Sequence, residues 1–268
     1  MSLTAPSSSS SSQPGTGTRV AISVVIPTLN ESARIGAALA DLSWASEIIV
    51  VDGGSTDETA TIARDAGAKV LIVSGETIAG QRNAGIAVAE HRWVLALDAD
   101  ERVTPELRGE LSAIAVSPRP RHAAYRMRFR NFYLGRELAH GPWGRDWHVR
   151  FFTRERRWVT NRVHEHLEHV DDVGTLSGTI LHYPYRDVAH HVAKIVKYAQ
   201  WGADDLRARG RTAGLWEVAM RPAWRFFRDY VLYSGWRDGT IGFIASGLNG
   251  FAAFLKYAFL FAKDREAS

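Results

Sequence analysis

Short apolar segments alternate with amphipathic ones through the first half of the chain. From Val20 onward, four mostly apolar segments predict strands that are buried on both faces: VAISVVIPT, EIIVVD, AKVLIVS and RWVLALD. The segments between them have apolar residues at helical spacing and predict helices: ESARIGAALADL, STDETATIARDAG and AGQRNAGIAVAEH. In the second helix we expect Ser55 as the N-cap, Glu58 at the capping-box position and Gly67 at the end. This alternation predicts an α/β fold with a parallel sheet and right-handed crossovers.

The regular alternation ends near Pro120, and the second half of the chain has a different pattern. AAYRMRFRNFYLG alternates like a strand, and VRFFTRERRWV has the pattern of one arm of a hairpin. A helical pattern follows from His190 to Arg209, and then an aromatic, basic and apolar tail from Leu215 to Ala262. These changes divide the chain into four predicted regions: a Ser-rich tail (1–19), a first subdomain (20–120), a second subdomain (121–189) and a helical region (190–268).

Composition indicates a globular protein with a sizeable core. Hydrophobic residues make up 46% and charged residues 23% of the 268 residues. The chain has no cysteine, which excludes disulfides and thiolate metal sites and fits a reducing compartment. The first nineteen residues include six consecutive serines and lack a basic start followed by an apolar segment. We therefore expect a disordered tail there and not a secretion signal.

The formal net charge is +4, and the basic residues crowd the second half among aromatic ones, as in RPAWRFFRDYVLYSGWR. A nucleic-acid partner and an anionic membrane surface both fit such a pattern, but no nucleic-acid-binding motif accompanies it, which favours the membrane. The segment IGFIASGLNGFAAFLKYAFLFA is long enough to span a bilayer, yet glycines, Asn249 and Lys256 interrupt it. We predict a helix at the membrane interface, with a helix packed on the protein's own core as the alternative.

Ligands of a parallel sheet bind outside the carboxyl ends of its strands. The first predicted strand ends in PTLNES without a glycine-rich turn, and the chain contains no phosphate-binding loop of the G-x-x-x-x-G-K-[ST] type. The fourth strand ends in an acidic segment instead, where Asp98 and Asp100 can hold a hard divalent cation that neutralises phosphate. The alternative is a solvated acidic turn before the next helix.

Several motifs together resemble a known family. VVIPTLNES, EIIVVDGGSTDET, QRNAG and LALDADERVTPEL are similar to the nucleotide-sugar domain of the large second family of inverting glycosyltransferases, which has the Rossmann-like GT-A fold. FYLGRELAHGPWGRDWHVRFFTR, VHEHL and the tail resemble the branch that includes lipopolysaccharide core glucosyltransferases. The resemblance implies a mostly parallel sheet flanked by helices, a nucleotide-sugar-binding first subdomain, an acceptor and catalytic second subdomain, and a C-terminal helical region that associates with membranes.

The resemblance also implies roles for individual residues. Asp52 would accept hydrogen bonds from the base, typically uracil, and Arg82 would lie near the sugar diphosphate. Asp100 would be the principal ligand of Mn²⁺ or Mg²⁺, together with Asp98 and His164. The alternatives are a plain turn aspartate at position 52 and an exposed helix residue at position 82. The full set of implied nucleotide-sugar-binding residues is Pro27, Thr28, Asn30, Glu31, Asp52, Gly54, Ser55, Arg82, Asp98, Ala99 and Asp100.

Inversion requires a base that removes the proton of the acceptor hydroxyl. Asp146 lies between Trp143 and Trp147, and desolvation by these rings is expected to raise its proton affinity. The rival base is Glu165, and the alternative for Asp146 is a salt bridge to a neighbouring arginine. VHEHLEH is not an H-E-x-x-H motif, so a zinc hydrolase site is disfavoured. His182 and Tyr183 receive no role.

The predicted function is the metal-dependent, inverting transfer of a hexose from a UDP-linked nucleotide sugar. The acceptor is a hydroxyl of a lipid-linked or lipopolysaccharide-type glycan. The expected location is cytoplasmic, peripheral on the inner face of the cytoplasmic membrane, with no nucleic-acid partner. Two alternatives stay open: transfer to a polyprenyl phosphate, and a non-catalytic nucleotide-sugar-binding protein at the membrane.

Overall fold

A computed structural model describes residues 19–159, 166–168 and 171–266. Nine strands are present in this part of the chain: β1 (Val20–Thr28), β2 (Ala45–Asp52), β3 (Lys69–Ile72), β4 (Trp93–Ala96), β5 (Glu101–Val103), β6 (Ala124–Tyr133), β7 (Arg136–Leu138), β8 (Trp147–Thr153) and β9 (Val173–His182). The α-helices of the same part are α1 (Ser32–Ala40), α2 (Thr59–Asp65), α3 (Ile78–Ala87), α4 (Pro105–Val116), α5 (Val188–Ala208), α6 (Leu215–Phe227) and α7 (Gly239–Glu266).

All nine strands belong to one sheet, in the order β3-β2-β1-β4-β8-β6-β9-β5 with β7 on β6. β1 pairs in parallel with β2 and β4, and β2 with β3, which confirms the parallel sheet predicted for the first half. β8 runs antiparallel to both β4 and β6, whereas β9 is parallel to β6. The whole sheet is therefore mixed, and strands from both predicted subdomains contribute to it; the subdomain boundaries stay a prediction.

The core lies on both faces of the parallel strands. In β1, Ile22, Val24 and Ile26 pack in one cluster with α1 and α4, while Val25 packs in the opposite cluster with α3. All four side chains are at most 1% exposed. Successive residues of a strand point to opposite faces, so a continuous apolar run is what a strand covered on both sides requires.

The loop after β2 differs from its prediction. α2 begins at Thr59 with Glu58 as its N-cap, so the expected cap at Ser55 and the capping box are wrong. The Ser55 hydroxyl instead accepts a hydrogen bond from the backbone N–H of Asn30, at 2.8 Å. One carboxylate oxygen of Asp52 accepts the backbone N–H of Ser55, which keeps this segment in a loop. Gly67 follows the helix with φ +82°, as expected for its end.

The C-terminal helices pack on the sheet domain and on one another. Ala245 of α7 is buried in a cluster with Tyr133 and Leu138, and Leu260 is buried against Ala203 of α5. In the described residues, one helical stretch, Gly235–Arg265, is long and apolar enough to cross a membrane by length and composition. One face of α7 is therefore part of the protein's own core.

Substitution of Gly85 is expected to destabilise the protein. A Cβ at this position of α3 would overlap Val25 and lie 2.9 Å from a methyl group of Val51, so the helix must move off the sheet. We expect Gly85→Ala to lower the free energy of unfolding by about 1–3 kcal/mol in urea denaturation.

Gly109→Ala is the matched control, because nothing lies within 4 Å of a Cβ at that exposed position of α4. It should stabilise by about 0.5–1 kcal/mol through helix propensity. Equal effects of the two substitutions would contradict the close packing of α3 on the sheet.

Candidate active site

Hydrogen bonds join the loops that follow β1 and β2. Asn30 has a left-handed backbone, with φ 57°, and its side-chain oxygen accepts the backbone N–H of Thr56 at 2.9 Å. Asp52 accepts the backbone N–H groups of Gly54 and Ser55 at 2.8 and 2.6 Å through its Oδ1. Together with the bond from Asn30 to Ser55, these contacts fix both loops at one edge of the sheet.

Two buried oxygens at this edge lack a hydrogen-bond partner among the residues that the structure describes. They are Oδ2 of Asp52, a residue that is 1% exposed, and the hydroxyl of Thr28, which is 4% exposed. Buried polar atoms are nearly always hydrogen-bonded, and leaving one unpaired costs about 1–3 kcal/mol. The two unpaired oxygens are therefore consistent with a bound ligand whose N–H group donates a hydrogen bond to the Asp52 carboxylate.

Arginines compensate the negative charge that follows β4. Arg82 of α3 donates a hydrogen bond to Asp98 at 2.7 Å, and its guanidinium lies 4.6 Å from the centre of the Trp158 ring. Arg150 of β8 is 3.3 Å from the other Asp98 oxygen. Burial raises the pKa of Asp98, but the two guanidinium groups outweigh it and hold the pKa well below its usual range.

Glu101 is the most buried of the three carboxylates, with a side chain that is 1% exposed. It accepts a hydrogen bond from Arg150 at 2.8 Å and another from the backbone N–H of Asp98 at 3.0 Å. Burial raises its pKa, and Asp98 and Asp100 add to the rise, whereas the Arg150 guanidinium lowers it. Glu101 thus fixes the turn that presents the two aspartates.

Asp100 faces a histidine that the sequence left without a role. His182 ends β9 and is paired in register with Glu101 of β5. Its Nε2 lies 3.7 Å from Oδ1 of Asp100, whose Oδ2 is 3.4 Å from the Arg34 guanidinium. One potential ligand atom each of Asp100, Glu101 and His182 lies within 4.8 Å of the others. Such a spacing allows one cation to contact all three.

Asn131 determines which nitrogen of His182 is available. The Asn131 amide donates to the backbone oxygen of Trp143 at 3.0 Å and to Asp146 at 3.1 Å, so its oxygen must face His182 Nδ1, at 2.7 Å. An amide oxygen only accepts, and therefore Nδ1 carries the proton and Nε2 presents its lone pair towards Asp100. Burial lowers the pKa of His182 although Asp100 and Asp98 raise it. A neutral imidazole beside carboxylates is a donor set that suits Mn²⁺ and, through the oxygens, Mg²⁺.

Asp146 is linked to this cluster through Asn131. Oδ2 of Asp146 accepts the hydrogen bond from Asn131, and Oδ1 lies 2.6 Å from Nε2 of His148. Burial raises the pKa of Asp146, but the hydrogen bond and charge of His148 outweigh it, and the pKa is lowered. The expected rise in proton affinity is therefore wrong. The expected alternative of a salt bridge to Arg145 or Arg150 is wrong as well, because Arg145 lies over the Tyr233 ring and Arg150 contacts Asp98 and Glu101.

The described candidate residues lie at one edge of the sheet. Arg34, one turn into α1, reaches from the Asn30 loop to Asp100 and to the backbone oxygen of Tyr183, at 3.2 Å. Burial raises the pKa of Glu31, and the charge of Asp100 adds to the rise, whereas the charge of Arg34 lowers it. His164 and Glu165 fall outside the described residues, and their roles stay predictions. The side chains that the sequence did not indicate are Arg34, Asn131, His148, Arg150 and His182.

Known proteins place the chain in a family. Residues 23–166 match the model of glycosyl transferase family 2. An uncharacterized glycosyltransferase of Rickettsia bellii is 30% identical over 88% of this chain and 85% of its own length. The lipopolysaccharide core biosynthesis glycosyltransferase LpsC of Rhizobium meliloti is 27% identical over 91% of this chain and 93% of its own. The chain belongs to glycosyl transferase family 2 and is a glycosyltransferase of the GT-A fold.

Among solved structures, glucosyl-3-phosphoglycerate synthase of Mycobacterium tuberculosis, in complex with Mn²⁺ and UDP-glucose, is 25% identical over 41% of this chain. The match spans 44% of that chain, with a TM-score of 0.36. The assignment to the family rests on the family model and the full-length relatives alone.

Removal of the Arg150 side chain should destabilise the protein strongly. Its guanidinium is the counter-charge of the buried Glu101 and one of two counter-charges of Asp98. Because a buried charge is left uncompensated, we expect Arg150→Met to lower the free energy of unfolding by about 3–5 kcal/mol.

Arg209→Met serves as the control, since Arg209 forms a solvent-exposed ion pair with Asp205 on α5. Its loss should cost less than about 1 kcal/mol. Urea denaturation at neutral pH measures both, and a similar small effect for both would show that Arg150 is not required to compensate the carboxylates.

Proposed function

We propose that this glycosyltransferase is metal-dependent and inverting, and that it moves a hexose from a UDP-linked donor to a hydroxyl of a lipid-linked or lipopolysaccharide-type glycan. The observation that carries the proposal is the convergence of Asp100, His182 and Asp146 through Asn131. It combines a set of metal-ligating atoms with a carboxylate held a short distance away.

Asp52 is the proposed contact of the nucleotide base. Its buried Oδ2 has no partner in the described part of the chain, and the imide N–H of uracil is a donor that would satisfy it. Gly54 supports this role, because its φ of +94° and a Cβ position 2.6 Å from the Ser74 hydroxyl both require glycine where the chain turns past Asp52. Pro27, Thr28, Asn30, Glu31, Ser55 and Ala99 are proposed to complete the donor pocket.

Asp100 and His182 are proposed to hold the divalent cation, Mn²⁺ or Mg²⁺, and the buried Glu101 lies next to both of them. A cation bound there would stabilise the negative charge that develops on the departing diphosphate. Asp98 is less suited to bind it directly, because both of its oxygens already contact guanidinium groups. Arg82 and Arg34 add positive charge on the same side and are proposed to orient the diphosphate. His164, the ligand expected from the resemblance, remains a further proposed one.

Asp146 is proposed to be the base. Inverting transfer in one displacement needs a proton acceptor behind the anomeric carbon, and a carboxylate held by two neighbours meets that need. Asn131 and His148 orient it, and each of its oxygens retains a lone pair for the acceptor hydroxyl. Glu165 stays the rival proposal.

The acceptor and the location are proposed from the similarity to LpsC and from the C-terminal helices. The name of LpsC refers to biosynthesis of the lipopolysaccharide core, a glycan that is linked to lipid. A glycosyltransferase that modifies such an acceptor must reach the membrane surface. We therefore propose peripheral attachment to the inner face of the cytoplasmic membrane.

Loss of the proposed metal ligands should abolish metal-dependent donor binding. Asp100→Ala and His182→Ala each remove one ligand atom, so we expect Mn²⁺-dependent binding of UDP to weaken by at least about tenfold in calorimetry, because ligands and their supports typically contribute that much. Asp65→Ala, an exposed carboxylate at the end of α2, is the control and should bind as the unaltered protein does. Full UDP binding by Asp100→Ala, or in excess chelator, would exclude the metal role.

Replacement of the proposed base should act on turnover. Asp146→Asn keeps the shape of the side chain but removes the group that accepts the proton. We therefore expect kcat to fall about 10²–10⁴-fold while UDP binding is retained. Turnover is measured with a panel of UDP-sugar donors and with a membrane lipid extract as the source of acceptor. Unimpaired turnover would move the role to Glu165.

His148→Gln should change the pH dependence of kcat/KM. His148 holds the pKa of Asp146 below its ordinary value, so the unaltered protein keeps its carboxylate base at low pH. Without the charge of His148 the pKa of Asp146 should rise, and the acidic limb of the profile should move to higher pH. An unchanged limb would show that Asp146 does not set it.

A further inference from the structure

The exposed side of α6 is apolar. Trp216, Met220, Trp224 and Phe227 recur at helical spacing and are 70, 43, 57 and 45% exposed, and Leu215, which is 76% exposed, precedes them as the first residue of the helix. We call these five side chains the α6 outer face. A helix on the surface of a soluble protein normally directs its polar face to solvent, so this arrangement is the reverse of the expected one.

The opposite face of α6 is fixed by packing, so the helix cannot turn its apolar residues inward. Phe226 stacks on Tyr230 and contacts Phe243 of α7 edge-on, with ring centres 5.4 and 5.6 Å apart. Asp229, which is fully buried, accepts hydrogen bonds from Arg225 and Arg228 on one side and from Asn249 of α7 on the other. The α6 outer face is therefore a fixed feature of the surface.

The next turns extend the same surface. Val231, Leu232 and Trp236 are 44, 54 and 56% exposed. A hydrogen-bonded pair, His140 and Asp238, connects this region to the sheet domain, with nitrogen and oxygen 2.7 Å apart. The apolar surface is thus held in a defined position relative to the active site.

Basic residues flank this surface along the chain. Every exposed residue between positions 207 and 237 that is charged at neutral pH is an arginine: Arg207, Arg209, Arg211, Arg221 and Arg237. The acidic residues of the same stretch are engaged, because Glu217 accepts the backbone N–H of Gly214 and Asp229 is buried against its arginines. An apolar face with tryptophans and a rim of arginines matches the boundary between acyl chains and anionic headgroups.

We propose that the α6 outer face docks onto a bilayer that contains anionic phospholipid, with its aromatic side chains at the level of the headgroups and the flanking arginines on their phosphates. A second copy of the chain fits less well, because a two-fold contact through this face would bring the arginine rims of both copies together. The inference deepens the proposed function, on which it rests for its biological purpose, and assigns the membrane contact to α6 where the sequence pattern pointed to α7.

The test uses the full-length protein and vesicles of phosphatidylglycerol mixed with phosphatidylcholine, compared with vesicles of phosphatidylcholine alone. We expect sedimentation with the anionic vesicles, weakened by salt because the headgroup attraction is screened. The double substitution Trp216→Glu/Trp224→Glu should lower the partition coefficient by at least about tenfold, since two interfacial aromatic anchors are replaced by charges that the leaflet repels.

A matched pair of single substitutions controls for charge and exposure. Leu215 on the α6 outer face and Val116 at the end of α4 are both 76% exposed. Leu215→Glu should weaken vesicle binding, whereas Val116→Glu, which makes the same change in charge on the sheet domain, should not.

Two results would overturn the proposal. One is vesicle binding by the double variant equal to that of the unaltered protein. The other is a dimer of the unaltered protein, seen by analytical ultracentrifugation without vesicle binding, that the double variant dissociates. Mn²⁺-dependent UDP binding is measured on the same samples: the double variant should retain it, and Asp100→Ala should lose it while still binding vesicles. Failure of the docking surface and failure of the proposed metal site are thereby distinguished.

Discussion

Charge compensation at the end of β4 is the constraint on which the rest of the site depends. Three carboxylates within four residues of sequence repel one another, and Glu101 is almost completely buried. Arg150 contacts both Glu101 and Asp98, and Arg82 binds the other oxygen of Asp98. This arrangement leaves Asp100 as the aspartate whose charge is least satisfied by the protein, since its guanidinium contact is long, at 3.4 Å. The proposed cation site therefore depends on the position of the arginines as much as on the carboxylates.

The sheet topology explains how residues far apart in sequence reach this point. β8 enters between β4 and β6 and runs antiparallel to both, so its first residues meet the carboxyl ends of those strands. Arg150 lies on this strand and Asp146 directly precedes it, and β9 brings His182 beside Asn131 of β6. The parallel half of the sheet, with its helices, thus supplies the proposed donor pocket and Arg82, while the second half of the chain supplies the proposed base and Arg150.

The sequence predicted the parallel half well because its signals are local. Apolar runs stopped by Pro27 or followed by Asp52 and Asp98 indicate both the strands and the edge at which their ends meet. It did not indicate Arg150, Asn131 or His182, because their positions depend on pairing between strands more than twenty residues apart, which no local pattern encodes. The raised proton affinity expected for Asp146 failed for a different reason: the expectation considered only burial by Trp143 and Trp147, whereas the hydrogen bond from His148, which is equally near in sequence, outweighs that burial. At Ser55 a hydrogen bond from a distant loop prevailed over a local capping signal.

The central claim is that a divalent cation bound with UDP is held by Asp100 and by Nε2 of His182. Electron spin-echo envelope modulation of Mn²⁺ in the complex with UDP tests it directly, since a coordinated imidazole produces modulation from its ¹⁴N nucleus. The predicted result is clear ¹⁴N modulation in the unaltered protein that is weaker in His182→Gln while Mn²⁺ and UDP remain bound at higher concentration. Because His164 is a further proposed ligand, the modulation should disappear completely only when both histidines are replaced. Modulation that is absent from the unaltered protein, or that is unchanged in His182→Gln, would contradict the account.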